Sequence, residues 1–148
     1  MLDSEYMRMS VAQCNCTAVR QAARHMTRFY DTCLAEVGLR STQYIILLYL
    51  SRREFVTMVT LAEALIMDRT TMARNLQPLA REGLVNVQSS DMDRRLRVVS
   101  LTADGMKKVF DGTKAWQYAQ QTFESKFGYE KALMMREMMG SVIGTDMD

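Results

Sequence analysis

Leu84-Val85-Asn86-Val87-Gln88-Ser89-Ser90-Asp91-Met92-Asp93-Arg94-Arg95-Leu96-Arg97-Val98-Val99-Ser100-Leu101 sets two valine-rich runs on either side of a polar segment. Side chains branched at Cβ favour extended backbone, where they pack well on a pleated surface. The runs 84–88 and 96–101 are therefore expected to pair as a hairpin with a long tip, Ser89 to Arg95. That tip concentrates charge, with Arg94 and Arg95 standing beside Asp91 and Asp93.

Upstream of the hairpin, Asp68 is a good N-cap for a helix from Arg69 to Glu82, and Gly83 is its natural stop. Before it, Thr60-Leu61-Ala62-Glu63 fits a capping box and is expected to open a short helix ending near Met67. Two short helices joined by a tight turn form a helix-turn-helix. A hairpin directly after it makes a winged helix. Ser41 is expected to cap a helix whose continuous apolar run, Tyr44 to Leu50, belongs in the core. Val11 to Val37 carries apolar residues at alternating steps of three and four, the stripe of a long amphipathic helix ended by Gly38. Downstream, Thr102 can cap a long helix with apolar positions Met106, Val109, Phe110, Thr113 and Trp116. Gly128 is expected to separate it from a Met-rich helix, Tyr129 to Val142. The fold class is mainly α (α+β): a winged helix-turn-helix with long N- and C-terminal helices. The terminal helices lie outside a minimal winged helix, and a dimer interface is the economical role for them.

The Arg69–Glu82 helix has two faces. Met72, Ala73, Leu76, Leu79 and Ala80 are expected to pack inward, while Thr70, Thr71, Arg74, Asn75, Gln77 and Arg81 face out. That polar mixture suits the major groove of double-stranded DNA: Arg can grip guanine in a bidentate way, Asn or Gln adenine, and Thr a thymine methyl or a phosphate. The N-terminal amides, next to Arg69, can also receive a phosphate. Pro78 removes a helical hydrogen bond to the Arg74 carbonyl, and a bend is the expected relief. At the wing tip, an Arg entering a minor groove gains from the potential between the phosphate walls. Asp93 can hold such an Arg extended.

Composition sets the frame. The 148 residues are one domain's worth, large enough to bury a core without disulfides or metal. No apolar run approaches the about 20 residues needed to cross a bilayer. Met1-Leu2-Asp3-Ser4-Glu5 lacks the basic and apolar regions of a signal peptide, so a cytoplasmic protein without membrane contact is expected. Net charge is only +2, but its placement is informative. All five lysines follow the hairpin, and from Arg69 to Arg97 six arginines stand against Glu82, Asp91 and Asp93, a local charge of +3. Arg offers a planar donor fork suited to phosphates and guanine edges.

These motifs occur in an order and spacing that resembles the multiple-antibiotic-resistance-regulator (MarR) family. The resemblance is carried by Asp68 to Leu76, Arg81 to Val85, Asp93-Arg94-Arg95, Val99 to Gly105, and Gly38 to Tyr44. It spans roughly Val11 to Trp116 and weakens after that. It implies a homodimer whose terminal helices (1–40 and 103–148) interlock and whose two winged helices (41–102) meet a palindromic operator. It implies that Asp68, Arg74 and Arg95 match the family's structural and DNA-contacting positions, with Arg95 the candidate for minor-groove insertion. It further implies a repressor released by a small phenolic or lipophilic effector, with no cofactor. The tail methionines Met134, Met135, Met138 and Met139 read either as core packing or as a cavity lining.

Some relatives in that family respond to oxidants through cysteine, which draws attention to Cys14 and Cys16. A sensing thiol needs partial exposure and a nearby base or cation that favours the thiolate, and Arg20 lies about one turn beyond Cys16. Both are expected near the start of the first helix, where they project about 200° apart and cannot readily join, leaving Cys33 or a second subunit as partner. A structural disulfide or a metal role for His25 fits none of the usual spacings. The rival classes are weak. An enzyme lacks a Gly-rich phosphate loop and a nucleophile with a base. A winged-helix interaction module without DNA binding fits poorly with an outward face of Arg and Thr.

Overall fold

A computed structural model describes residues 10–148. The signal-peptide reading of Met1–Glu5, and residues 1–9 of the proposed N-terminal dimerisation segment, lie outside the described residues. After a short 3-10 turn (Val11–Gln13), helix α1 runs Asn15–Leu34 and tightens into a second 3-10 turn, Ala35–Val37. Gly38 ends it in the left-handed region at φ 71°, a conformation that costs glycine nothing. Helix α2 spans Ser41–Leu50, strand β1 Val56–Thr57, helix α3 Met58–Ala64 and helix α4 Arg69–Arg81. Strands β2 (Val85–Ser89) and β3 (Arg97–Leu101) form the hairpin, followed by helix α5 (Ala103–Phe127) and helix α6 (Tyr129–Ile143). The winged-helix order expected from the sequence is the order observed.

The core is built around α2. Tyr44, Ile46, Leu47 and Leu50 are buried against Leu61 of α3, Met72, Leu76 and Leu79 of α4, and Val85 and Val99 of the hairpin. Ile45, expected in the core with its neighbours, is exposed: a run of seven apolar residues circles a helix, and only part of the circle meets the other elements. Two helix starts differ from those expected. The N-cap of α3 is Thr57, whose hydroxyl accepts the Thr60 N–H at 3.1 Å, so Thr60 lies inside the helix and is not its cap. That helix ends at Ala64, before Met67, because Ile66 takes a left-handed turn at φ 53°, sparsely populated for a β-branched residue. Ser41 is the first residue of α2 and not its cap; its N–H is taken by Asp31 Oδ1, reaching across from α1 at 2.7 Å. Arg40, the N-cap residue, donates its own backbone N–H to Gln43 Oε1 at 3.0 Å.

The sheet has the order β1-β3-β2, all antiparallel. Val56 pairs with Val99, and Val85 with Leu101 through to Ser89 with Arg97. Two sets of interactions fasten the recognition unit to α5. Thr102 Oγ1 donates to the Gly83 carbonyl at 2.6 Å and accepts the Gly105 N–H at 2.9 Å. Further along, Gly112 lets α5 approach the Tyr44 ring, which stacks on Trp116 at 6.2 Å and shares a hydroxyl hydrogen bond with Thr113. The inward face of α5 is therefore Gly105, Val109, Gly112 and Ala119. Met106 and Phe110, two of the apolar positions noted in the sequence, are exposed.

Besides the buried Leu34, Ala119 and Ala132, a polar chain links the outer helices. Tyr30 donates to Gln120 Oε1 at 2.6 Å, Gln120 Nε2 donates to Glu124 at 3.0 Å, and Arg136 reaches the same carboxylate oxygen at 3.1 Å. Only Ala132 of α6 is buried; Met134, Met138 and Met139 are exposed and Met135 is half-buried, so most of the tail methionines do not pack a core within this chain. No described helix is long and apolar enough to cross a membrane.

Candidate nucleic-acid interface

Asp68 fixes the start of α4. Its Oδ1 accepts the Thr71 N–H at 2.7 Å and its Oδ2 the Thr71 hydroxyl at 2.9 Å. These bonds favour the charged form, the backbone donor most and the hydroxyl next, and hold the Asp68 carboxyl below its ordinary range. Asp68 is thus a structural cap, as expected. Thr71, in consequence, spends its hydroxyl inside the protein. Asn75 does likewise: half-buried, it donates Nδ2 to the Thr71 carbonyl at 2.8 Å. The two bonds stiffen the N-terminal half of the helix; Thr71 has its hydroxyl proton engaged, while Asn75 keeps a second amide N–H and its Oδ1 free.

The free polar groups of α4 are Arg69, Thr70, Arg74, Gln77 and Arg81, all exposed. Ala73 and Ala80, expected to face inward, are also exposed; the inward stripe is only Met72, Leu76 and Leu79. Sequence spacing could not settle this, because alanine fits either side of a helix and the width of the stripe depends on what it packs against. Two small outward residues leave room along the helix for a bulky neighbour. The helix continues through Pro78 to Arg81.

At the wing tip, Ser90 N–H bonds to the Leu96 carbonyl at 2.8 Å and Leu96 N–H to the Asp93 carbonyl at 3.0 Å. Asp93 Oδ1 accepts the backbone N–H of Arg95 at 3.0 Å. Asp93 therefore does not hold an Arg side chain extended, as its position in the sequence suggests; it shapes the turn from which Arg94 and Arg95 project. Both guanidinium groups are exposed, and among the described residues neither is ion-paired, the single ion pair being Arg136–Glu124.

α4 and the wing enclose a cleft of about 430 Å³ in which Arg69, Thr70 and Ala73 face Thr57, Arg95 and Arg97. Among the described residues no carboxylate lines it. A second groove, along α4 and the sheet, takes in Thr70, Arg74, Gln77, Val87 and again Arg97. Arg94 lines neither. The structure thus brings Arg69, Thr70, Arg74 and Arg95 to one side of the molecule. It adds Arg97, which the sequence shows only as one more charge in the turn. The signal that could have found it is the strand parity of Arg97 and Val99.

At the other end of the chain, Cys14 is the N-cap of α1, off the helix at φ −83° and ψ 113°, with Sγ accepting the Thr17 N–H at 3.4 Å. Thr17, through its hydroxyl and then its backbone N–H, holds the thiol below its ordinary value. The 200° separation from Cys16 presumes that both residues are helical, so it does not apply. Cys16 is exposed, and Cys33, half-buried, has its thiol pushed up by desolvation and next by Glu36. All three thiols are free.

The MarR family model matches residues 37–96. The chain is 28% identical over 104 residues to the organic hydroperoxide resistance transcriptional regulator of Bacillus subtilis, covering 70% of this chain and 71% of that protein. The solved structure of the M. tuberculosis transcriptional regulator MosR in complex with DNA superposes with a TM-score of 0.78 at 30% identity, covering 89% of this chain and 97% of that one. The S. aureus MepR–DNA complex shares the fold, with a TM-score of 0.75 at 22% identity over 88% of this chain and 97% of that one.

Proposed function

Because this chain belongs to the MarR family of transcriptional regulators, we propose that it works as a homodimeric repressor that sets α4 into the major groove of a palindromic operator and Arg95 into the adjoining minor groove. The observation that carries this is the carboxylate-free cleft between α4 and the wing, with Arg69, Thr70 and Arg95 on its walls. Unpaired guanidiniums in a concave, acid-free surface suit a polyanion and are costly against most proteins. Arg69, Thr70 and Arg74 read or grip from the helix, Arg94 takes a phosphate, and Asp68 and Asp93 hold the two elements in shape. Thr71 and Asn75 contribute chiefly to that shape.

The division of labour follows exposure. Residues 41–102 form the DNA-binding unit; 1–40 and 103–148 form the dimer. Val19, Phe110, Leu133, Met134, Met138 and Ile143 leave apolar surface uncovered on α1, α5 and α6, more than single scattered residues require. A second copy covers it, and the tail methionines then pack between subunits. The protein acts in the cytoplasm without catalysis or cofactor, and a phenolic or lipophilic effector releases it.

Selection from random duplexes tests the reading. It should return a palindrome with half-sites about one helical turn apart. Failure to enrich any sequence would favour an interaction module.

Cys14 favours a second reading, release by oxidation, in keeping with the hydroperoxide-resistance regulator among its relatives. A lowered thiol at a helix N-terminus is a competent nucleophile. Its thiolate attacks an organic hydroperoxide, the O–O bond breaks, sulfur becomes a sulfenic acid, and the alkoxide leaves as the alcohol after taking a proton. A second thiol, Cys16 or one across the dimer, then condenses with it to a disulfide and releases water. Peroxide should free DNA from the wild type but not from Cys14→Ser, and Cys16→Ser tells which second thiol completes the disulfide. Equal release from all three would remove the idea.

A further inference from the structure

Arg97 opens β3, and the pleat decides which way it points. Alternate residues of a strand face opposite sides. Val99 is fully buried against the helices and Leu101 half-buried, so Arg97 shares their face, while Val98 and Ser100 take the other. Arg97 thus continues an apolar stripe with a charge, at the point where the core runs out. It is exposed, stands opposite Ser89, and lines both grooves beside α4. A charge on the core side of a sheet is expensive unless it meets water or a counter-charge. Among the described residues the chain supplies Arg97 with no ion-pair partner, and neither groove contains an acid. The exposed Ala73 opposite leaves the space in front of it open.

A major groove and the minor groove next to it are divided by one sugar-phosphate ridge. If α4 occupies the first and Arg95 the second, the cleft between them straddles that ridge. We infer that Arg97 binds a backbone phosphate of the strand crossing between recognition helix and wing, with Arg69 flanking the same ridge. This rests on the DNA-binding reading above and deepens it. Phosphate contacts set register and carry no sequence information. Arg97 is accordingly a positioning residue: it seats the wing against the backbone and leaves base choice to α4 and Arg95.

The test uses the full-length dimer, the duplex recovered by selection, and a scrambled duplex of equal length, titrated over a range of KCl concentrations. Arg97→Ala should weaken binding to both duplexes by the same factor, roughly tenfold. It should also flatten the plot of log affinity against log salt by about 0.9 for each phosphate that is no longer neutralised, so by about 2 for a dimer. Arg97→Lys should restore most of the slope, since a point charge still meets a phosphate. Arg97→Gln, which keeps the bulk, should behave like Arg97→Ala and so exclude a packing effect. Three outcomes overturn the inference: unchanged affinity and slope, weakening confined to the selected duplex, or weakening with the slope intact. If the wild type binds neither duplex, the DNA-binding reading falls and takes this one with it; wild-type binding that is indifferent to Arg97 sinks this one alone.

Discussion

Gly105 sits where α5 leaves the hairpin, and replacing its hydrogen by a methyl group tests how tightly the recognition unit is fastened to that helix. The added Cβ would overlap the Leu84 carbonyl oxygen outright and lie 2.6 Å from Leu101 Cδ1. Leu101 can turn aside. The carbonyl cannot, because it accepts the Thr102 N–H at 3.1 Å, and Thr102 also holds the Gly83 carbonyl through its hydroxyl. Relief therefore requires α5 to back away from the exit of α4. Overpacking of this kind costs about 1–3 kcal/mol, and a rigid backbone neighbour places it at the upper end. Alanine in a helix returns roughly 0.5–1 kcal/mol of that. The net loss expected for Gly105→Ala is about 2 kcal/mol, a fall in Tm of about 4–8 °C for a chain of this length. Gly112→Ala is the companion. Its Cβ would meet Tyr44 Cδ2 at 2.9 Å and Leu39 Cδ1 at 3.3 Å, side chains that can shift, so the loss should be smaller. Thermal melts at one fixed protein concentration give the order. A Gly105→Ala protein that melts at or above the wild type, or above the Gly112→Ala protein, refutes the reasoning.

Arg95→Ala should lower operator affinity roughly tenfold, the scale of one interaction of about 1–3 kcal/mol, while dimerisation and melting stay put; gel shifts beside sedimentation would show it. Thr102→Ala removes both the cap on α5 and the bond to the Gly83 carbonyl, and denaturant titration should register a loss of about 0.5–2 kcal/mol. Asp68 has a carboxyl held below its unfolded value, so its stabilising effect is present above the ordinary carboxylate range and fades as pH falls through the depressed folded value. Unfolding of Asp68→Asn, which can still cap through its amide oxygen, should accordingly lose less stability than the wild type between about pH 5 and the acid end of that transition. Identical pH profiles for the two proteins would show that the carboxylate plays no such part.

Much of this molecule can be read along the chain because its signals are local. Asp68 caps α4 through a residue three positions away, Gly83 and Gly38 accept left-handed turns, Thr102 caps α5, and the valine runs make strands wherever they find a partner. The family resemblance rests on those same short motifs, and hence on their order and spacing. Tertiary packing decided the rest. β1 is two residues long and exists only because β3 lies beside it. The first turn of α2 is held by Asp31, ten residues before Ser41 and on another helix. Ala73, Ala80, Ile45, Met106 and Phe110 are exposed because no other element of this chain packs on that side of them, and residue type alone carries no such information. The cleft shows the same division at the proposed site. Arg94, Arg95 and Arg97 are visible in the sequence as charge within the turn from Asp91 to Arg97. That Arg97 faces α4 follows from strand register, since a shift of one residue would reverse the face on which every side chain of β3 stands, whereas Arg94 lies in the turn before that strand and lines neither groove.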